Sequence, residues 1–360
     1  MVLSPFAASM QPLLGEYEKP LSLVREYFDF QEHYIREEGT IELEVPVLPD
    51  IKQRFYQLAR RMRELGWRPV LERGTKEDRL TMHLVRFPSP RPRFTPTHLS
   101  LLAVTIAFCL AQGYYRSSAL PFAGDRFLGA LYYAAALLGI IGVHEMGHML
   151  LWRHHGYPVS YPYFLPGIPI YTIVPTFGAV IVVREPFINR DTMFDVAVAG
   201  PLAGLGMALI VSLPGALTSQ LILPGQVPGI PLGVSPLQYL VFSLTGMLRS
   251  GYEVLLSPLG EVAWLGFLVT FLNLLPATQL DGGHLARAAL GRRLHQIASY
   301  VVLLVTLYLG YWPFALFILY MLLSRIDVRP LDDVSPLSRG RKLLWASMMV
   351  LMALTAPIIS

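Results

Sequence analysis

The 360 residues include a single cysteine, Cys109. One thiol excludes an internal disulfide and a zinc site built from thiolates. Charge is scarce as well: Asp, Glu, Lys and Arg make up 15% of the chain, against about 25% in ordinary soluble domains. The net charge of +4 is too small to point to a nucleic-acid partner. On a chain this apolar it is the expected excess of basic cytoplasmic loops. The opening "MVLSPFAASM" has no basic segment leading into an apolar core and is not rich in Arg and Ser. Neither a cleavable signal peptide nor a transit peptide is therefore expected.

What is abundant is apolar sequence, 53% of the residues. The charges that exist are unevenly placed. Residues 1–93 hold 15 of the 29 Lys and Arg and 14 of the 25 Asp and Glu. The expectation is a soluble domain over 1–93 and a transmembrane domain over 94–360.

The first part reads as a small α+β unit. "IELEVPV" alternates Ile41, Leu43, Val45 and Val47, the period of a half-buried strand. After Pro49 and Asp50, Ile51, Phe55, Leu58, Met62 and Leu65 fall on one helical face, and Gly66 is a natural stop. "RPVLERGTKEDRLTMHLVRF" reads as a hairpin turning between Gly74 and Asp78, and the proline-rich, basic stretch 86–96 as a linker. No ligand-like cluster of polar residues appears in this unit, so a docking or regulatory role is expected of it.

Beyond it lie runs without charge. Residues 94–115 and 127–144 each read as a spanning helix, as does 196 to about 213. Residues 262–280, 294–324 and 343–360 are further apolar stretches. The run 294–324 reads as two short arms turning near Gly310 to Pro313. Residues 154–183 are uncharged but carry Pro158, Pro162, Pro166, Pro169 and Pro175, which no straight helix accommodates. A non-helical segment at membrane depth must be covered by protein or border a wet cavity, so a re-entrant loop or hairpin is expected there. The fold class is a polytopic α-helical membrane protein of about six to seven spans with that hairpin and the small N-terminal domain. Basic residues at 86, 91 and 93, at 153, 184 and 190, and at 287, 292 and 293 put those segments on the cytoplasmic side, and the N-terminal domain with them. A prokaryotic plasma membrane is the expected setting.

Ionisable groups stand out against this background. "GVHEMGHMLLW", residues 142–152, places His144, Glu145 and His148 in a run that has had no charged residue since Arg126. Such groups are expensive in a membrane and are kept for a use. His144 and His148 are four apart and share one helix face, so the two imidazoles can bind one zinc ion, and Glu145 beside the first can serve as general base. The bland alternative is a pair of core histidines with a stray acid. A zinc site needs a third protein ligand. "FLNLLPATQLDGGH", residues 271–284, offers Asp281 after 19 residues without a charge, on a helix that Pro276 bends or ends. Read alone, Asp281 is equally the cap of the following helix. Asn273, on the same helix, can hold a substrate carbonyl or bond a neighbouring helix. His154 and His155 read as interfacial flanks. "AGPLAGLG" carries Gly200 and Gly204 at the spacing of close helix packing and can back the metal site.

HEMGH near the cytoplasmic end of a span, then "FDVAVAGPLAG", then "NLLPATQLDGG" in a later span, resemble in that order the site-2 protease family of intramembrane zinc metalloproteases, over about residues 126–293. "PTFGAVI" (175–181), "LDDVSPL" (331–337) and the preceding soluble domain are similar to the cyanobacterial and plastid branch. Its plant members are the ethylene-dependent gravitropism-deficient and yellow-green-like proteases. The resemblance implies one zinc ion held by His144, His148 and Asp281, Glu145 as catalytic acid and base, and Asn273 as the substrate-orienting residue. It implies substrates that are transmembrane proteins, met in membrane lipid, and hydrolysis of a peptide bond within or near their helix. The family often reads N-P-D-G where this chain has Leu280-Asp281-Gly282; the ligand is kept and the residues before it differ.

Two other readings fit parts of the pattern. A prenyl-protein protease of the other H-E-x-x-H type would take a glutamate as third ligand, and Glu253 and Glu261 are available. A non-proteolytic metal-binding membrane protein would use the same ligands without Glu145.

Overall fold

The computed structural model describes residues 17–74, 78–87, 94–120, 124–169, 174–182, 185–227, 232–324 and 328–357. The opening residues read for a leader, the centre of the expected turn at 75–77 and most of the proline-rich linker lie outside these. So do Arg91, Arg93 and Arg184. Eleven helices and eight strands fall within the described residues, in two compact units.

The first unit contains helix α1 (17–25), strands β1 (His33–Ile35) and β2 (Ile41–Pro46), helix α2 (Ile51–Glu64), and strands β3 (Trp67–Arg73) and β4 (Arg79–Arg86). The four strands form an antiparallel sheet in the order β1-β2-β4-β3. Its register pairs Ile41 with Leu84, Leu43 with Met82 and Val45 with Leu80, so the alternation in β2 and β4 puts six apolar side chains on one face. All six are buried, as are Phe55, Leu58 and Met62 of α2, at the spacing that keeps a helix stripe on a core.

Two later segments, 185–193 and 328–338, belong to this unit. Leu71 donates its backbone N–H to the carbonyl of Leu331, and Leu331 and Asp332 donate theirs to Phe187 and Ile188. Glu185 is buried between Arg63 and Arg68, 2.8 Å from each. Asp332, fully buried, accepts the N–H groups of Val334 and Ser335 and so folds its own turn.

The second unit is helical: α3 (Pro96–Ala119), α4 (Arg126–His154), most of α5 (Arg190–Leu217), α6 (Pro236–Leu244), α7 (Pro258–Leu274), α8 (Asp281–Leu290), α9 (Arg292–Tyr308), α10 (Trp312–Leu323) and α11 (Arg339–Thr355). Among the described residues α3, α4 and α5 are long and apolar enough to cross a membrane, while α7 and α10 are shorter apolar helices. One core joins Cys109 of α3, Tyr133, Leu137 and Ile140 of α4, Leu205 and Ala208 of α5, and Leu265 and Phe267 of α7. Arg116 of α3 meets Glu261 of α7 at 3.1 Å, a paired charge among apolar helices. The arms of 292–323 turn at 309–311 and pack together through Val302, Leu303, Ala315 and Ile318.

The proline-rich segment is a hairpin, with β5 (Tyr163–Pro166) antiparallel to β6 (Thr176–Val180). Phe164, Val174 and Ala179 pack on the helical core. A second small pairing joins β7 (Gln220–Ile222) to β8 (Glu253–Leu255). Helix α6 sits inside the uncharged run 196–248; uniform apolar character hides where one helix stops and the next begins.

Candidate metal centre

Helix α4 carries His144 and His148 one turn apart, with their Nε2 atoms separated by 3.1 Å. Asp281 comes from a different place. Pro276 cannot extend α7, which ends at Leu274, and residues 275–280 turn the chain into α8. Thr278 takes a φ of +49°, an uncommon value for a β-branched residue. Its surroundings hold it there: its N–H donates to Ser299 Oγ at 2.9 Å, its carbonyl accepts from His295 Nε2 at 3.1 Å, and its hydroxyl donates to Met321 Sδ at 3.1 Å.

At the end of this turn Asp281 is the first helical residue of α8. Its N-cap is Leu280, and no side chain caps the helix end. The carboxylate therefore does not serve as a cap. It faces the histidines instead, with Oδ2 3.2 Å from His144 Nε2 and Oδ1 3.3 Å from His148 Nε2. Among the described residues His144, His148 and Asp281 are the group whose ligand atoms gather closely enough for one ion, all within 4.8 Å. The expected alternatives fall away: Glu253 is exposed on β8, and Glu261 is engaged by Arg116.

The donors suit a particular ion. Two imidazole nitrogens and a carboxylate oxygen are a zinc-type set. Tetrahedral ligands about 2.0–2.1 Å from zinc stand about 3.3 Å from one another. The separations here are 3.1, 3.2 and 3.3 Å.

Helix α5 backs the site. The Nδ1–H of His148 donates to the carbonyl of Val196 at 2.8 Å, which leaves Nε2 as the lone-pair nitrogen facing Asp281. A Cβ at Gly200 would stand 2.1 Å from that Nε2, and one at Gly204 would stand 3.0 Å from His144 Nδ1. The glycines of "AGPLAG" thus let a helix backbone lie against two imidazoles. A Cβ at Gly282 would stand 2.0 Å from the carbonyl oxygen of Leu274, which explains the glycine after Asp281.

Glu145 is half-buried on the turn between the histidines. Asn273, half-buried in the last turn of α7, has no hydrogen-bond partner among the described residues. His284 bends back, its Nδ1 3.0 Å from the Leu280 carbonyl. His154 is exposed, as a flank should be, but His155 is buried with its Nε2 3.3 Å from Asp195. Asp195 and the Val196 carbonyl were not legible beforehand. A backbone acceptor has no residue signature, and an aspartate near a helix start reads as ordinary dipole compensation.

Known proteins share sequence with this chain. The family model "Peptidase family M50" matches residues 132–312. "Probable zinc metalloprotease EGY2, chloroplastic" of Oryza sativa subsp. indica is 33% identical over 221 residues, 58% of this chain and 38% of that protein. The Arabidopsis thaliana protein of the same name is 32% identical over 161 residues, 43% of this chain and 28% of its own. "Probable zinc metalloprotease EGY1, chloroplastic" of Arabidopsis thaliana is 31% identical over 245 residues, 63% of this chain and 42% of its own. The chain thus spans about two fifths or less of the length of these curated relatives. No solved structure matches it. With the match covering half of its residues, the chain belongs to peptidase family M50, the site-2 protease family, and within it is similar to the EGY proteins.

Proposed function

We propose that this chain is an intramembrane zinc metalloprotease that hydrolyses a peptide bond within or near the transmembrane helix of membrane-anchored proteins. The observation that carries the reading is the meeting of three ligand-type atoms from α4 and the α7–α8 turn at separations suited to one zinc ion. His144, His148 and Asp281 would hold that ion. Bound there, zinc supplies a Lewis acid that polarises a carbonyl and lowers the pKa of water to about 7.

The rest of the work belongs to side chains and backbone. Val196 orients His148. Glu145, adjacent to His144, takes a proton from the attacking water and delivers it to the leaving amine. Asn273 donates its amide N–H to the carbonyl oxygen as negative charge builds on it. The scissile segment must first unwind, because helical peptide bonds are hydrogen-bonded and shielded. The β5–β6 hairpin offers a strand with Phe177 and Val180 exposed, and an unwound substrate pairing with it would satisfy its own backbone.

In this reading the chain is a multi-pass protein of about six to seven spans, surrounded by lipid and with no nucleic-acid partner. Helices α3, α4 and α5 support three of those spans. Residues 1–93, joined by 185–193 and 328–338, act as a soluble domain and the rest of 94–360 as the membrane domain, with the catalytic core at about 126–293. Basic residues at 153, 190, 287, 292 and 293 favour a cytoplasmic N-terminal domain, and a prokaryotic plasma membrane is the setting proposed. The deciding experiment is cleavage of a transmembrane substrate by the purified chain, alongside its zinc content. Zinc-dependent cleavage is expected. A zinc-loaded protein that never cleaves a range of helical substrates would overturn the assignment.

A further inference from the structure

We propose that Asp195 is a positioning residue for the metal centre, which locks the register of α5 on α4 so that Val196 and Gly200 face His148; this rests on the metal-site reading above. Helices α4 and α5 run antiparallel, and their contacts follow in opposite order along the two helices. His155 meets Asp195, His148 meets Val196 and Gly200, and His144 meets Gly204. His155 follows His148 by seven residues, about 10.5 Å along the same helix face.

Only one register is compatible with the site. A slide of one residue's rise, about 1.5 Å, would shift Gly200 off the imidazole that only a glycine there admits and would carry the Val196 carbonyl away from Nδ1. The small residues of α5 leave room for the imidazoles but make no polar bond that holds the helix in place. Asp195 makes such bonds. Arg341 of α11 grips it with a two-pronged pair, Nε to Oδ1 at 2.6 Å and Nη2 to Oδ2 at 2.7 Å, while His155 stands 3.3 Å from Oδ2.

The same grip reaches the third ligand. Met352, further along α11, packs on the cluster that joins Leu275, Ala277 and Leu280 of the turn delivering Asp281 to Val302, Leu303, Ala315 and Ile318, and α11 itself lies against α7 and α8. Through Arg341, Asp195 therefore joins the helix that backs the two histidines to the helix that supports the aspartate's turn. It touches no ligand itself and acts through Val196 and α11.

The test uses the full chain in detergent: wild type, Asp195→Asn, and Arg341→Lys, which keeps the charge and loses the fork. Zinc affinity is measured by chelator competition, the visible spectrum after cobalt substitution, and Tm on the metal-free protein. Asp195→Asn is expected to weaken zinc binding about tenfold or more and to alter the cobalt bands, beyond any change in metal-free Tm. Wild-type affinity and spectrum in Asp195→Asn overturn the proposal, whatever happens to Tm. If Asp195→Asn does not fold, Arg341→Lys decides on the same two readouts: weakened binding supports the proposal and unchanged binding overturns it. A wild type that binds no zinc fails the metal-site reading, and this proposal falls with it.

Discussion

The α-carbon of Gly200 lies against the imidazole of His148 so closely that a Cβ there would stand 2.1 Å from Nε2. That nitrogen also faces Asp281 at 3.3 Å. A methyl group at position 200 would displace the ring and break its bond to Val196. Gly200→Ala is therefore expected to weaken zinc binding at least tenfold, an order of magnitude drawn from losses of outer-shell partners, as measured by chelator competition. Gly206→Ala, on the same helix with nothing within 4 Å of its Cβ, should bind zinc as the wild type does.

Glu145→Gln separates metal binding from proton transfer. The amide keeps size and position but cannot accept a proton. Zinc content should stay at one ion per chain, while cleavage falls by about 10²–10⁴-fold, the usual contribution of a general acid–base. Persistent cleavage by Glu145→Gln would remove this residue from the mechanism.

His148→Ala and Asp281→Ala should lose both zinc and cleavage, because each leaves two protein ligands where a zinc site needs three. Asp281→Asn keeps the shape and loses the anion, and is expected to bind zinc more weakly than wild type. Elemental analysis after dialysis reads all three. Chelation of the wild type should abolish cleavage, and added zinc should restore it.

Gly282→Ala tests the α7–α8 turn. Its Cβ would stand 2.0 Å from the carbonyl oxygen of Leu274. That neighbour is backbone and cannot step aside as a side chain can. A loss of about 1–3 kcal/mol or more is expected, seen as a lower Tm even without metal.

In the α+β unit, Glu185→Gln leaves Arg68 and Arg63 without the carboxylate that stands 2.8 Å from each. Removing one partner of a buried pair costs about 3–5 kcal/mol, so a marked fall in the Tm of the full chain is expected. Glu26→Gln, whose carboxylate pairs with Arg61 in an exposed position, should change it little.

Much of this was legible because it depends on local spacing. The alternation of Ile41, Leu43 and Val45 is the buried face of β2, and the stripe from Phe55 to Met62 is the buried face of α2. The prolines of 154–183 announced a non-helical segment, and Pro276 announced the end of α7. What escaped was non-local. His155 looked like an interfacial flank because charge and chain position were all there was to judge it by; its burial depends on Asp195, 40 positions away. Residues 185–193 and 328–338 are too short to show a period, and their place in the α+β unit rests on backbone bonds to partners far along the chain.

From the sequence alone came the apolar helices, the shared face of His144 and His148, the acid between them and the break before Asp281. Each follows from rules that act within a turn or two of helix. Only the tertiary structure decided that Asp281 swings onto those imidazoles instead of capping α8, and that the Val196 carbonyl orients His148. These depend on how helices pack and on which backbones have room to touch, and a linear chain does not state such distances.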